Sequence, residues 1–225
     1  MNFQDTQLIG VLARADATVA RLSGLLSGLV ERFALHDAPL YLVGGSVRDA
    51  LLGRLGNDLD FTTPARPDVV YSILEEWAET VWDTGIDFGT VSAAYKGQQI
   101  EITTFRSDSY DGESRNPEVM YGDTLEGDLV RRDFKVNAMA IELRPDGTRE
   151  FHDPMGGLED LANRILDTPD APEISFHDDP LRMLRAARFA AQLEFDVAQR
   201  VRDAMTDMAG EIQRITVERV QVELN

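Results

Sequence analysis

The segment Leu42-Val43-Gly44-Gly45-Ser46-Val47-Arg48-Asp49, followed by Asn57-Asp58-Leu59-Asp60-Phe61, constrains the chain more than any other stretch. An apolar run ends in three small residues and gives way to a helical pattern, so backbone N–H groups of Gly44, Gly45 and Ser46 can point at an anion. Asp58 and Asp60 flank an apolar residue in a strand-like run, which places both carboxylates on one face of a sheet. Acidic pairs at strand ends are frequent and most simply face water. The turn just upstream changes the reading, because magnesium prefers one or two carboxylates together with substrate phosphates. Two cations held by shared carboxylates suit in-line displacement at phosphorus, the chemistry of nucleotidyl transfer.

The chain around this segment reads as strands mixed with helices. An N-terminal helix is expected from Asp16, as cap, to Leu35, with Leu22, Leu25, Leu26, Leu29, Val30 and Phe33 at helical spacing. Strands are expected over 41–44, 58–62, 90–95 and 99–105, the last two joined through Lys96-Gly97-Gln98. Helices are expected over 47–53, 67–81 and 125–140, and a hairpin is expected around Pro145-Asp146-Gly147. The polar stretch 106–121 reads as an exposed loop, a candidate lid. Prolines and the pair Gly156-Gly157 suggest a linker over 153–172, beyond which strand signals stop and helices are expected over 179–193, 197–212 and from Val217 on. The resulting organisation is an N-terminal helical extension (1–35), a head (36–152), the linker (153–172) and a helical neck (173–225) whose pattern continues to the end without a stop signal.

At 225 residues and 43% hydrophobic content the composition is that of a globular chain. There is no cysteine, so disulfides and thiolate metal sites are excluded, and a reducing compartment is compatible. Neither a signal core nor a bilayer-length apolar run is present, so no membrane role and a cytoplasmic location are expected. A formal net charge of −18 argues against a broad electrostatic grip on nucleic acid. Arginines nevertheless cluster at Arg131-Arg132 and at Arg182, Arg185 and Arg188, where phosphates would go.

Glu101, alternating with apolar residues in Ile100-Glu101-Ile102, is either a third metal carboxylate on a neighbouring strand or a solvent-facing strand position. Arg131-Arg132-Asp133 is either a charged helix face or a site where Arg132 holds triphosphate and Asp133 or Asn137 accepts from a ribose hydroxyl. Asp179 and Arg182, three apart on an expected helix, present acceptor and donors together and can read a base edge; Arg185 and Arg188 continue the row with no compensating acid until Glu194. His36, His152 and His177 lack zinc-ligand spacing, no Ser-His-Asp arrangement is present, and Trp77 and Trp82 fit a core.

Taken in order, Gly44-Gly45-Ser46-Val47-Arg48-Asp49, Asp58-Leu59-Asp60-Phe61, Arg131-Arg132-Asp133-Phe134, Asp153-Pro154-Met155-Gly156-Gly157 with Asp160-Leu161, and Asp179-Pro180-Leu181-Arg182-Met183-Leu184-Arg185 resemble the class II CCA-adding tRNA nucleotidyltransferases. The related bacterial poly(A) polymerases of the polymerase-β-like nucleotidyltransferase superfamily share the pattern. The resemblance runs from about Leu40 to the end, where Glu218-Arg219-Val220 and Glu223 look like the family's last neck motif.

The resemblance implies an α+β head with a small mixed or antiparallel sheet and flanking helices, then an all-α neck. It implies that Asp58 and Asp60 hold catalytic Mg2+, that Gly45 and Arg48 lie near the nucleotide, that Arg132 binds it, and that Asp133 helps recognise ribose. Asp179 and Arg182 would select CTP or ATP, with Arg185 and Arg188 assisting at the phosphates. CCA addition to the tRNA 3′ end is the implied activity, with body and tail regions that grip tRNA expected to follow a neck cut short here. Two departures stand out: Asp178-Asp179 where a Glu-Asp pair is common, and Lys135 where a small hydroxyl residue is common. The rivals are a poly(A) polymerase or a CC- or A-restricted transferase of the same family, and a non-catalytic nucleotide-binding module. Nothing in the sequence sets an oligomeric state.

Overall fold

The computed structural model describes residues 3–106 and 121–224. Two helices open it, α1 (Phe3–Ala20) and α2 (Ser23–Leu35), followed by β1 (Leu40–Val43), α3 (Gly44–Leu51), β2 (Asp58–Thr63) and α4 (Pro67–Trp77). Next come β3 (Thr80–Trp82), β4 (Thr90–Tyr95), β5 (Gln98–Thr104), α5 (Leu125–Val130), β6 (Ala140–Leu143) and β7 (Arg149–His152). The remainder is α6 (Gly157–Asn163), β8 (Ile165–Leu166), α7 (Pro172–Asp178), α8 (Leu181–Leu193), β9 (Asp196–Val197), α9 (Gln199–Asp207) and α10 (Val217–Leu224). Among the described residues, no helix is long and apolar enough to cross a membrane.

Seven strands form one mixed sheet in the order β3-β4-β5-β2-β1-β6-β7. Strands β2 and β5 run parallel, with Asp60 beside Glu101, and the other neighbours run antiparallel. Alternation assigns the two faces. Leu40, Leu42, Leu59, Phe61, Ile100, Ile102 and Ile141 point to a core shared with α1 to α4, through Val19, Leu29, Phe33, Val47, Leu51, Val70 and Leu74. Each fully buried side chain of this size contributes about 1.5–3 kcal/mol. The other face carries Tyr41, Asp58, Asp60, Thr62, Glu101 and Glu142; it is open at Asp58 and Glu101, whereas Thr62 is buried and Val43 is covered together with Leu129.

The β4–β5 hairpin turns at Lys96 and Gly97, both at positive φ (47° and 78°), as expected from the sequence. Several expectations need correction. Asp16 caps nothing: it lies inside α1 and pairs with Arg149 Nε at 2.6 Å, because Ala15 and Val19 extend the buried stripe one helix earlier. The helix expected to reach Val81 ends at Trp77, and Val81 lies in the edge strand β3. Trp77 joins the core, whereas Trp82 is 42% exposed. The single helix expected over 125–140 is three pieces: α5, a 3-10 turn over Lys135–Asn137, and β6. Asp133 makes the break, since its carboxylate accepts from the Phe134 N–H at 2.8 Å and from Asn137 Nδ2 at 3.0 Å, a local alternative to helix. The sheet, at seven strands, is larger than expected.

The stretch expected as a linker is folded. Asp153 accepts from the N–H groups of Gly157 (2.6 Å) and Leu158 (2.9 Å), so the Asp-Pro-Met-Gly-Gly run starts α6 rather than a flexible connection. Leu161 and Leu166 join the main core, and β8 pairs with β9 in parallel, so the helical part also carries one short strand. Gly157 is required here by close approach: a Cβ would sit 2.1 Å from the Lys135 carbonyl oxygen. Gly157→Ala is expected to cost about 1–3 kcal/mol, read as a lower urea midpoint at unchanged slope. An unchanged midpoint would show that this packing tolerates a methyl group. The candidate lid, 107–120, lies outside the described residues; its flanks, Arg106 and Tyr121, form an antiparallel bridge.

Candidate active site

Asp58, Asp60 and Glu101 sit on the open face, the first two by strand period and the third because the parallel register sets Glu101 beside Asp60. Burial pushes the Asp60 carboxyl up, Asp58 adds to the rise, and Arg132 opposes it. Burial also raises Glu101, with Asp60 and then Asp58 contributing. Asp60 and Glu101 are thus both held above the ordinary carboxylate range beside a third acid, and a cation relieves such like charges. The donors are all carboxylate oxygens, a set that fits a hard divalent cation.

The turn before α3 brings the positive charge. Gly44 has φ 66°, and a Cβ there would lie 3.0 Å from Arg132 Nη1 and 3.8 Å from Asp60 Oδ2, so glycine lets the guanidinium approach the carboxylates. Arg132 Nη2 donates to Asp128 Oδ2 at 3.0 Å, and Asp128, 4% exposed, also accepts from the Arg106 N–H at 3.3 Å. Arg132 Nε is buried with no partner among the described residues. The Ser46 hydroxyl is engaged by the next strand: Oγ donates to the Asp58 carbonyl (3.3 Å) and accepts from the Asp60 N–H (2.9 Å).

A second group of expected site residues forms a continuous polar chain into the helical part. Arg48 is 8% exposed; it donates to both Asp49 oxygens at 3.0 Å and to Asn137 Oδ1 at 2.7 Å. Asn137 donates to Asp133, whose other oxygen accepts from Arg185 Nε (2.8 Å) and Nη2 (2.7 Å). Burial alone would raise the Asp133 carboxyl, but Arg185, Asn137 and the Phe134 N–H together hold it below the usual range. Glu223 of α10, 7% exposed, takes Arg188 and lies 3.7 Å from Arg185 Nη1. The guanidiniums of Arg48, Arg185 and Arg188 all pack on the Phe189 ring, 4.5–5.2 Å from its centre. Arg185 and Arg188 on α8 are therefore compensated after all, by acids from other elements.

Asp179 and Arg182 are not neighbours within one helix. Asp179 precedes α8, where Oδ1 accepts from the Leu181 N–H at 3.2 Å and Oδ2 pairs with Arg219 at 2.9 Å. Arg182 donates to Ser175 Oγ (2.8 Å) and to the Arg131 carbonyl (2.7 Å), tying α8 to the residue before Arg132. Lys135 pairs with Asp167 at 2.8 Å and stands 4.0 Å from Asp160, whose carboxyl is pushed up to about 6, chiefly by burial. The unusual lysine is thus a structural member of this junction. Glu142, Glu150 and His152 also gather, because β6 and β7 pair, a cluster invisible in the sequence spacing. Arg144 donates to both glutamates, so its charge is already compensated.

A sheet face with carboxylates exposed at one end, an arginine laid over a glycine turn, and a helical segment joined beside that arginine make one continuous polar site. Residues 40–167 match the poly A polymerase head domain, and residues 194–225 match the probable RNA- and SrmB-binding site of polymerase A. The chain belongs to the poly A polymerase head-domain family. The CCA-adding enzyme of Lactobacillus helveticus is 42% identical over 192 residues, covering 84% of this chain and 46% of that protein. That of Enterococcus faecalis is 41% identical over 81% of this chain and 43% of the relative. The Bacillus stearothermophilus CCA-adding enzyme in complex with CTP superposes with a TM-score of 0.76 at 37% identity, over 90% of this chain and 47% of that one. A tRNA nucleotidyltransferase complexed with a primer tRNA and an incoming ATP analog gives 0.72 at 27% identity, over 88% and 54%. The chain thus spans about half the length of these relatives.

Proposed function

We propose that this chain carries the catalytic and nucleotide-selecting part of a template-independent RNA nucleotidyltransferase that adds CCA to tRNA 3′ ends from CTP and ATP. The observation that carries the reading is the convergence of Asp58, Asp60 and Glu101 with Arg132 over Gly44, joined to Arg182 through the Arg131 carbonyl. In this reading the head (36–152) performs the transfer and the neck (173–225) selects the base.

Asp58 and Asp60, with Glu101 beside them, hold Mg2+, the hard cation suited to carboxylates and substrate phosphates. When bound, it lowers the pKa of the attacking primer 3′-hydroxyl and neutralises charge on the departing pyrophosphate. Arg132 presents its guanidinium to the triphosphate, fixed in direction by Asp128, with the main chain of Gly45 and Ser46 close by. Arg48, Asp133, Arg185 and Arg188 act as one brace rather than as separate ligands: their mutual bonds set the α8 arginines against the head. Asp179 and Arg182 border the base, each held by a partner of its own, so the selecting surface is preorganised. The reading carries a cytoplasmic location with it, consistent with a chain free of cysteine.

The test is incorporation by the full-length protein on tRNAs ending at each successive position before and within CCA, with CTP and ATP supplied separately. Two CTP additions followed by one ATP addition are expected. A long ATP ladder would instead identify the poly(A) polymerase that the family description also admits. Nucleotide binding without transfer, persisting in the full-length protein, would identify a binding module.

A further inference from the structure

We propose that Ser46 is a positioning residue that sets the two strand carboxylates through their backbone, and is not a side-chain ligand of the nucleotide. The inference rests on the reading of Asp58 and Asp60 as metal-holding residues. Its basis is a single buried hydroxyl with two backbone partners. Ser46 is 4% exposed, in the first turn of α3; its Oγ donates to the carbonyl of Asp58 and accepts from the N–H of Asp60. These two bonds bracket Leu59, which is buried in the core on the opposite face.

Position along the sheet explains why a side chain is needed there. The β1–β2 ladder pairs Tyr41 with Thr62 and Leu42 with Phe61, and then β1 turns into α3 at Gly44. On its other edge, β2 stays paired with β5 from Asp58 to Thr63. At the turn, the Ser46 hydroxyl bonds the β2 backbone at Asp58 and Asp60. One hydroxyl thereby fixes the strand at both carboxylates, and with them the tilt of the two side chains toward the open face. A group that orients metal-holding residues affects metal affinity and turnover, typically 10–100-fold, and a group that touches nucleotide affects nucleotide binding.

The two roles separate in Ser46→Ala and Ser46→Gly, with Ser46→Thr restoring the hydroxyl. Mn2+ affinity is titrated by electron paramagnetic resonance without nucleotide, Asp60 amide exchange is followed by NMR, and kcat and KM for CTP and ATP are measured on tRNA primers. We expect Ala and Gly to weaken Mn2+ binding about tenfold or more and to speed Asp60 amide exchange. They should lower kcat by a similar factor and leave nucleotide KM within about twofold, with Thr recovering most of the loss. A raised nucleotide KM at unchanged Mn2+ affinity would overturn the proposal, as would variants indistinguishable from the wild type. If the full-length wild type binds Mn2+ but transfers no nucleotide, the proposed function falls and the Mn2+ titration alone decides Ser46. If the wild type binds no Mn2+, both readings fall.

Discussion

Asp60→Asn is expected to abolish nucleotide incorporation while making the metal-free fold more stable. Asparagine keeps the shape of the side chain but neither its charge nor its full capacity for a divalent cation. The cation is asked to supply several kcal/mol of charge stabilisation in the transition state, so a loss of about 1000-fold or more in kcat follows. Stability moves the other way because burial, then Asp58, pushes the Asp60 carboxyl above its ordinary value of 3.8. A carboxyl raised in the folded state favours folding while protonated and loses that contribution as pH rises through its folded pKa. Ionised Asp60 therefore weighs against the apo fold at neutral pH, and asparagine removes the cost. For a chain of this size each kcal/mol relieved appears as about 2–4 °C in Tm. Adding Mn2+ should then raise the wild-type Tm and leave the variant unmoved, since only a site that binds is stabilised by mass action. Incorporation at the wild-type rate by Asp60→Asn, or by the double variant Asp58→Ala with Asp60→Ala, would remove these carboxylates from the mechanism.

The parts of this site that could be read in the sequence are those governed by short periods. Asp58 and Asp60 share a face because strand side chains alternate, and the chain turns at Lys96-Gly97 because glycine takes the positive φ of a two-residue hairpin without strain. Glu101 stayed ambiguous for a physical reason: only the parallel pairing of β2 with β5, reached across α4, β3 and β4, sets it beside Asp60. The bonds of the Ser46 hydroxyl are not legible in the sequence, because a small-residue turn whose backbone can face an anion can also turn a side chain to the next strand. Long-range ion pairs left no local trace at all. Asp133 and Arg185 are 52 residues apart, and Arg188 and Glu223 are 35 apart, so the arginine row looked unbalanced until α10 and the Asp133 break were in place. The same break hid α5's end, since a helical pattern over 125–140 shows no proline or glycine where Asp133 takes the backbone out of helix.

Asp133→Ala should destabilise the chain by about 3 kcal/mol, the low end for removing one partner from a buried ion pair, because the Arg185 side chain keeps 33% of its surface exposed. Asp133 is 9% exposed and accepts two bonds from Arg185, one from Asn137 and one from the Phe134 N–H, so its loss leaves Arg185 with only the more distant Glu223 at 3.7 Å and two N–H donors unbonded. At about 2–4 °C per kcal/mol, Tm falls by roughly 10 °C. A double variant, Asp133→Leu with Arg185→Met, should recover much of this, because exchanging both charges for apolar groups avoids the orphaned cation. Acidity provides an independent check. Asp133 is held below its ordinary 3.8, so its contribution is fully present above that value and is lost as pH falls through the lower folded pKa. Urea unfolding of the wild type should therefore weaken steeply below about pH 4, and Asp133→Asn should flatten that limb. An Asp133→Asn chain with the same acid limb would mean that other carboxylates carry it. Because the Asp133–Arg185 pair joins the residue after Arg132 to α8, the same variant should raise KM for both CTP and ATP rather than change the choice between them: it loosens the frame that holds the selecting residues, while Asp179 and Arg182 keep their own partners.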